Sequence, residues 1–502
     1  MTLNWKRATE VAQSITECWD HKHQPGGAIV LFDREQIQAA CCGGLADLAQ
    51  GTPFSTSSVV RFASVTKHLF AAMVTGPMAG KISLTDTLAQ HLPQLTGANG
   101  RVSVGQALDM TAGLDDIRET LSLLGLSVYN ATQAADLLQF EADMGELNYP
   151  AGSEISYSNT GYRLVEEALK AKGILFADLL QQYVCEPLNI RLYAPETWFD
   201  IVPGLVPGYW QGKSGWQLAS AGLHLSASGS VAGSVRDLSV WLQTLLRDDG
   251  PGAGVLARLS APRRLADGRT TGYGLGIART QLGDAHLVGH GGSHAGYKTY
   301  FLLDPQQGAG VALVANREDV ATYDSALHIM AALLEQPLPQ PGHALTSGLY
   351  ASDSGSDWLE ISGNTACWLG AGDTLYRDRD PAQAVSLSSH MPMRLRQNGA
   401  AIEGEIGHVA RRFLPVEADD SIEQAQGRWF YPQWRSELVI TGDRLVMGIG
   451  PAAITASLIS LGKGRLLATA QDGPWEKRFA IQLEGDGMRL LLNRSRIVKY
   501  QR

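Results

Sequence analysis

Apolar positions recur on two different periods along this chain, and the change of period divides it. At Ala8, Val11, Ala12 and Ile15 they fall three and four residues apart, one face of an amphipathic helix; the same rhythm returns at Leu69, Phe70 and Met73 and over Ser325 to Leu334. Between these lie runs suited to strands, near Ala28 to Phe32, Gln36 to Cys41, Thr299 to Leu303 and Gly310 to Ala315. Residues 1–335 are therefore expected to place an antiparallel sheet beside helices.

Gln336-Pro337-Leu338-Pro339-Gln340-Pro341-Gly342 cannot continue the helix before it and marks a stiff boundary. Beyond it the pattern turns to short alternating runs separated by glycine and aspartate turns, the texture of small all-β domains. There is an internal repeat. Gly348-Leu349-Tyr350 through Asn364 aligns without gaps on Gly427-Arg428-Trp429 through Asp443, so residues 343–416 and 421–502 read as two duplicated antiparallel β domains. Closed or nearly closed barrels are expected, because closure removes exposed strand edges.

A length of 502 residues, 44 % hydrophobic and 18 % charged, fits two or three globular domains. The net charge of −9 and the absence of a long basic run favour neither nucleic acid nor an anionic membrane as partner. The segment from Met1 lacks the apolar core of a signal peptide, and no stretch is long enough to span a bilayer. Five cysteines, Cys18, Cys41, Cys42, Cys185 and Cys367, make neither a metal pattern nor a disulfide framework, which fits a cytoplasmic protein. His21 with His23, and His286 with His290 and His294, are the histidine clusters; the glycine-rich setting of the second argues against zinc.

Three short motifs carry chemistry. Ser64-Val65-Thr66-Lys67 opens the helical rhythm at Leu69, so Lys67 stands one turn from Ser64 on the same face, and the helix start supplies amide donors where an oxyanion would form. The bland alternative is a capping serine beside a solvated lysine. Tyr157-Ser158-Asn159 ends a loop punctuated by Pro150 and Gly152 and runs into a helix. Nearby cations would lower the phenol pKa, letting Tyr157 act as base toward Ser64, with Asn159 orienting Lys67 or holding a substrate amide. His290-Gly291-Gly292 precedes a strand, and its glycines suggest a close approach of backbone to ligand. Together the motifs spell a serine acyl-transfer site.

In order and spacing these residues resemble the serine penicillin-recognising enzymes: class C β-lactamases, DD-peptidases and their esterase and aminopeptidase relatives. Further matching stretches are Lys81 to Asp86, Gln106 to Leu114, Ala232 to Leu238 and Gly272 to Gly276; His-Gly-Gly replaces the usual Lys-Thr-Gly. The resemblance implies an α+β, β-lactamase/transpeptidase-like catalytic domain with Ser64, Lys67, Tyr157 and His290 as catalytic residues. It also implies an oxyanion hole from the Ser64 and Ser293 amides, with Gly291 and Gly292 letting the strand lie close. With two β-barrels appended, the chain resembles the bacterial D-aminopeptidases, in which a loop of the last barrel enters the active site and an aspartate there reads the substrate's free amino group. Asp472 corresponds, at the tip of a hairpin turn.

The implied activity is release of N-terminal D-Ala, Gly or D-Ser from small peptides, amides or esters through an acyl-enzyme, without cofactor or metal, in a homodimer. An esterase, D-amino acid amidase or DD-peptidase of the same fold is the nearest alternative, and a non-catalytic sensor a remoter one. A neutral His290 in place of lysine argues against β-lactam hydrolysis.

Overall fold

The computed structural model describes residues 3–20 and 23–502. His21 lies outside them.

The part expected to be catalytic is built on a six-stranded antiparallel sheet in the spatial order Ala278–Leu282, Ala285–His294, Tyr297–Asp304, Ala309–Ala315, Gly27–Asp33, Ile37–Gly43. Its central strands bury both faces: Ala309–Ala315 has no exposed position. One face packs against the helices Trp5–Glu17 and Thr322–Leu334 through Ala8, Ala12, Ile29, Leu313, Ile329 and Leu333. The other face carries the main core, where Phe32, Phe62, Leu69, Phe70, Trp241 and Phe301 join the sheet to the helices Thr66–Thr75 and Val235–Arg247. The first helix is held by Asn4, whose side chain accepts from the Arg7 amide as an N-cap.

Beyond the linker come two all-β parts, and they are not identical. The first has nine strands between Gly348 and Pro415; its two edge strands, Ala371–Thr374 and Tyr376–Arg377, are consecutive in the chain, so the sheet curls almost to closure. The second closes fully as an eight-stranded barrel from Gly427–Tyr431 to Ser495–Gln501. The repeated sequence maps onto the opening hairpin of each, Gly348–Ser352 with Trp358–Ser362 and Gly427–Tyr431 with Ser436–Thr441.

A buried carboxylate ties the three parts together. Glu154 of the catalytic part, 3 % exposed, receives Arg411 of the first β part at 3.0 Å and Arg496 of the barrel at 2.9 Å. Among the described residues no helix is long and apolar enough to cross a membrane.

Candidate active site

Ser64 sits on a strained turn. Ala63 before it has φ +49°, in the left-handed region that non-glycine residues avoid, and a 3-10 turn over Ala63–Val65 precedes the helix Thr66–Thr75. Ser64 thus lies in the tight turn ahead of the helix rather than at its first residue. It is the one residue of the stretch Arg61 to Phe70 that is not buried. Lys67 below it is fully buried, and its Nζ lies 3.2 Å from Ser64 Oγ, 2.7 Å from Asn159 Oδ1 and 2.7 Å from the Ser228 carbonyl. Burial drives the Lys67 pKa well below the ordinary lysine value; Asp116 opposes the shift, and Arg494 and Arg118 add to it. Behind Lys67, Gly276 (φ +72°) packs so tightly on the Lys67 and His68 backbone that no side chain fits there.

Asn159 is itself fixed. Its backbone and side-chain amides donate to Asp116 Oδ2 at 2.9 and 2.7 Å, while Asp116 Oδ1 caps the helix Ile117–Leu123 by accepting from the Arg118 and Glu119 amides.

Tyr157 stands over this network, with Lys67 Nζ 4.7 Å from its ring centroid on one side and the Arg494 guanidinium 4.6 Å away. The expectation that cations lower its pKa is reversed. Burial outweighs the favourable contributions of Ser64, Arg494 and Arg118 and holds the phenol above its ordinary value, so it is neutral. Its hydroxyl is buried and lies toward the Ser64 side chain without a hydrogen bond of normal geometry.

His290 lies on the strand Ala285–His294, beside Tyr157 at 6.3 Å between ring centroids. Its Nδ1 faces the Gly291 carbonyl at 2.6 Å and so carries the proton, which leaves Nε2 to accept from the Tyr273 hydroxyl at 2.8 Å. Burial, and then Lys67, keep the imidazole well below its ordinary pKa and neutral. A Cβ on Gly292 would overlap the Phe62 carbonyl and stand 3.1 Å from the Ser64 amide nitrogen, so this strand presses on the nucleophile turn as the glycines suggested. Among the described residues no histidine, cysteine or carboxylate grouping suits a metal; His294 Nε2 instead faces the Gly229 carbonyl at 2.8 Å.

Two cavities open around the serine. One, of 380 Å³, is lined by Ser64, Tyr157, His290, Tyr300, Asp373 and His390 among others; a second, of 340 Å³, by Asp116, Glu119, Trp475 and Lys477. Arg118, Asn159, Ser293 and Arg494 belong to both and form the neck between them. Each β part reaches in. His390 of the first stacks edge-on against Tyr157 at 5.0 Å, and Arg494, in the turn between Gly487–Leu492 and Ser495–Gln501 of the barrel, covers the ring from another direction.

Asp472 does not face the serine. The strands Arg465–Asp472 and Trp475–Glu484 pair up to Asp472 and Trp475, leaving Gly473-Pro474 as the turn. Asp472 is therefore a strand residue, 4 % exposed. Its Oδ1 accepts from Ser127 Oγ at 2.6 Å, and its Oδ2 from the Val128 amide at 2.9 Å and Lys477 Nζ at 2.6 Å. The carboxylate is thus already neutralised and anchors the hairpin to the catalytic part. The hairpin presents Trp475, Glu476, Lys477 and Arg478 to the second cavity, and Trp475 Nε1 donates to Glu318 at 2.9 Å.

The family model for beta-lactamase matches residues 11–335, about two thirds of the chain. The chain belongs to the beta-lactamase family. Members similar to it include a D-aminopeptidase of Cereibacter sphaeroides, 23 % identical over 432 residues that cover 80 % of this chain and 82 % of the relative. A D-aminopeptidase of Brucella ovis is 26 % identical over 77 % of this chain and 74 % of its own. Among solved beta-lactamase-like folds, the D-amino acid amidase of Ochrobactrum anthropi SV3 superimposes with a TM-score of 0.54 at 19 % identity, over 65 % of this chain and 99 % of that one. The octameric penicillin-binding protein homologue of Pyrococcus abyssi does so with 0.56 at 20 %, over 78 % and 95 %.

Five residues of the site were not singled out in the sequence: Asp116, Arg118, Asp373, His390 and Arg494. Asp116 had a local signal, a capping aspartate followed by Glu119 three residues on. Arg118 is two residues further, but nothing local shows that it faces the serine. His390 and Arg494 had no signal at all, because what makes them part of the site is the docking of the β parts.

Proposed function

We propose that this protein is a serine hydrolase that removes N-terminal D-amino acids, of the D-Ala, Gly or D-Ser type, from small peptides, amides or esters through an acyl-enzyme on Ser64. The observation that carries the chemistry is the set of contacts around Lys67. A neutral amine has two N–H donors and one lone pair; the Asn159 and Ser228 carbonyls take the donors, and the lone pair is left toward Ser64 Oγ. The lowered pKa supports that neutral state, so Lys67, rather than a phenolate, takes the serine proton.

Ser64 Oγ then attacks the substrate carbonyl, and the oxyanion is received by the Ser64 and Ser293 amides. As the tetrahedral adduct collapses, the leaving nitrogen takes a proton from the Tyr157 hydroxyl, which Lys67 replenishes. Water, deprotonated by the same pair, releases the amino acid and restores Ser64. His290, locked as the Nδ1–H tautomer between Tyr273 and the Gly291 carbonyl, positions the strand and the phenol and carries no charge.

The D-amino acid preference is supported by the similar proteins named D-aminopeptidase and D-amino acid amidase. Since Asp472 is occupied by Lys477, the free ammonium is assigned to Asp373, a carboxyl lining the catalytic cavity with no ion-pair partner among the described residues. Parallel rates on D-Ala p-nitroanilide, L-Ala p-nitroanilide and p-nitrophenyl acetate test the reading. Hydrolysis of the D-anilide well above the L-anilide, abolished by Ser64→Ala, is expected; turnover of acetate alone would make the protein an esterase of this fold. Assembly as a homodimer is tested by light scattering, and the cytoplasmic location by cell fractionation.

A further inference from the structure

The neck between the two cavities holds two guanidinium groups with few acceptors: Arg118 has no ion pair among the described residues, and Arg494 has a single long one. Arg118, second residue of the helix Ile117–Leu123, donates no side-chain hydrogen bond among the described residues; its charge lies 5.3 Å over the Trp475 ring. Arg494 likewise donates none from its guanidinium, which covers Tyr157 and has only Glu119 near it, at 3.9 Å. The two are close enough that Arg494 disfavours the charge of Arg118.

Five N–H donors on each group, partly withdrawn from water and set against a like charge, are costly to leave without acceptors. The local carboxylates do not fill the need. Asp116 is taken up by Asn159 and the helix amides. Glu119 receives the Arg494 backbone amide at 2.7 Å, and burial raises its pKa to about 7, which weakens it as a counter-ion. Planar guanidinium forks match a carboxylate in two-point geometry.

From this we propose that Arg118 and Arg494 bind the free α-carboxylate of the leaving group, so that the preferred substrates are dipeptides with a free C-terminus rather than amides or esters. This rests on the hydrolase reading above. Its geometry follows from Tyr157: the proton donor faces the leaving nitrogen, and Arg494 lies on that same ring. In a leaving amino acid the carboxylate carbon is two bonds from the nitrogen, roughly 2.5 Å by ordinary bond lengths and angles. A carboxylate there meets guanidinium groups poised around Tyr157; each further residue would carry it roughly 3.5 Å away.

The test compares D-Ala-Gly with its C-terminal amide, D-Ala-Gly-NH2. The wild type is expected to favour the free acid about tenfold in kcat/KM, mainly through KM, and Arg494→Gln and Arg118→Gln each to reduce that ratio toward one. Equal use of the two peptides by the wild type, or variants that lose both in proportion, would overturn the proposal. Calorimetry on Ser64→Ala keeps it separate from the hydrolase reading. If no substrate turns over, the activity assignment fails, yet tighter binding of the free acid than of the amide still upholds the anion site, and equal or absent binding of both refutes it.

Discussion

At the scale of single residues the chemistry depends on burial overturning ordinary pKa values. Burial holds the Lys67 amine well below the ordinary lysine value, which suits it to the base role proposed for it, and burial likewise keeps Tyr157 protonated. Replacing Lys67 with Met should lower kcat by at least about a hundredfold, the loss expected for a general base, with KM changed little. The ammonium contact predicts a pH dependence. Burial raises the Asp373 pKa to about 7, so the carboxyl is neutral below that value and ionised above it. Activity on D-Ala p-nitroanilide should rise through pH 7, and Asp373→Asn should raise KM and remove that rise while hydrolysis of an uncharged acetate ester keeps its own profile. A rise that persists in the variant would assign it to another group.

At the scale of elements, two close contacts set the site. The strand bearing His290 presses on the nucleophile turn at Gly292, where a methyl group would meet the Phe62 carbonyl. Gly292→Ala should therefore displace the turn and lower kcat/KM by about a hundredfold, the scale expected for small misplacements of reacting groups. The hairpin of Arg465–Asp472 and Trp475–Glu484 is the second. The triplet pattern showed where Ser64, Lys67, Tyr157, Asn159 and His290 stood in sequence, because their spacing follows helix and loop periods. The resemblance had placed Asp472 at a turn tip; a turn tip and a strand end differ by one residue of register, and only the pairing of Asp472 with Trp475 decides which it is. With Ser127, Val128 and Lys477 on its carboxylate, Asp472→Ala should cost about 3 to 5 kcal/mol of stability, as for a broken buried pair. The measured D over L ratio should not change in the protein that remains folded.

At the scale of the whole molecule, Glu154 joins three parts through Arg411 and Arg496. Glu154→Gln leaves Arg496 without its ion-pair partner, while Arg411 keeps Asp357, and should cost about 3 kcal/mol. Urea unfolding should show it, with the β parts released ahead of the catalytic part; a single unshifted transition would mean that apolar contacts alone hold them.

The sequence by itself determined the elements and the core chemistry. Helical and strand periods, a proline-rich boundary and a repeated hairpin are local, and so is the Ser64 to Lys67 spacing that one helical turn converts into contact. Only the tertiary structure decided what surrounds that serine. Asp116 lies 43 residues from Asn159, and His390 and Arg494 reach Tyr157 from two other parts of the chain. Such contacts depend on how separately formed sheets dock. Docking is set by the summed shape and charge of whole faces, which no short window of sequence contains.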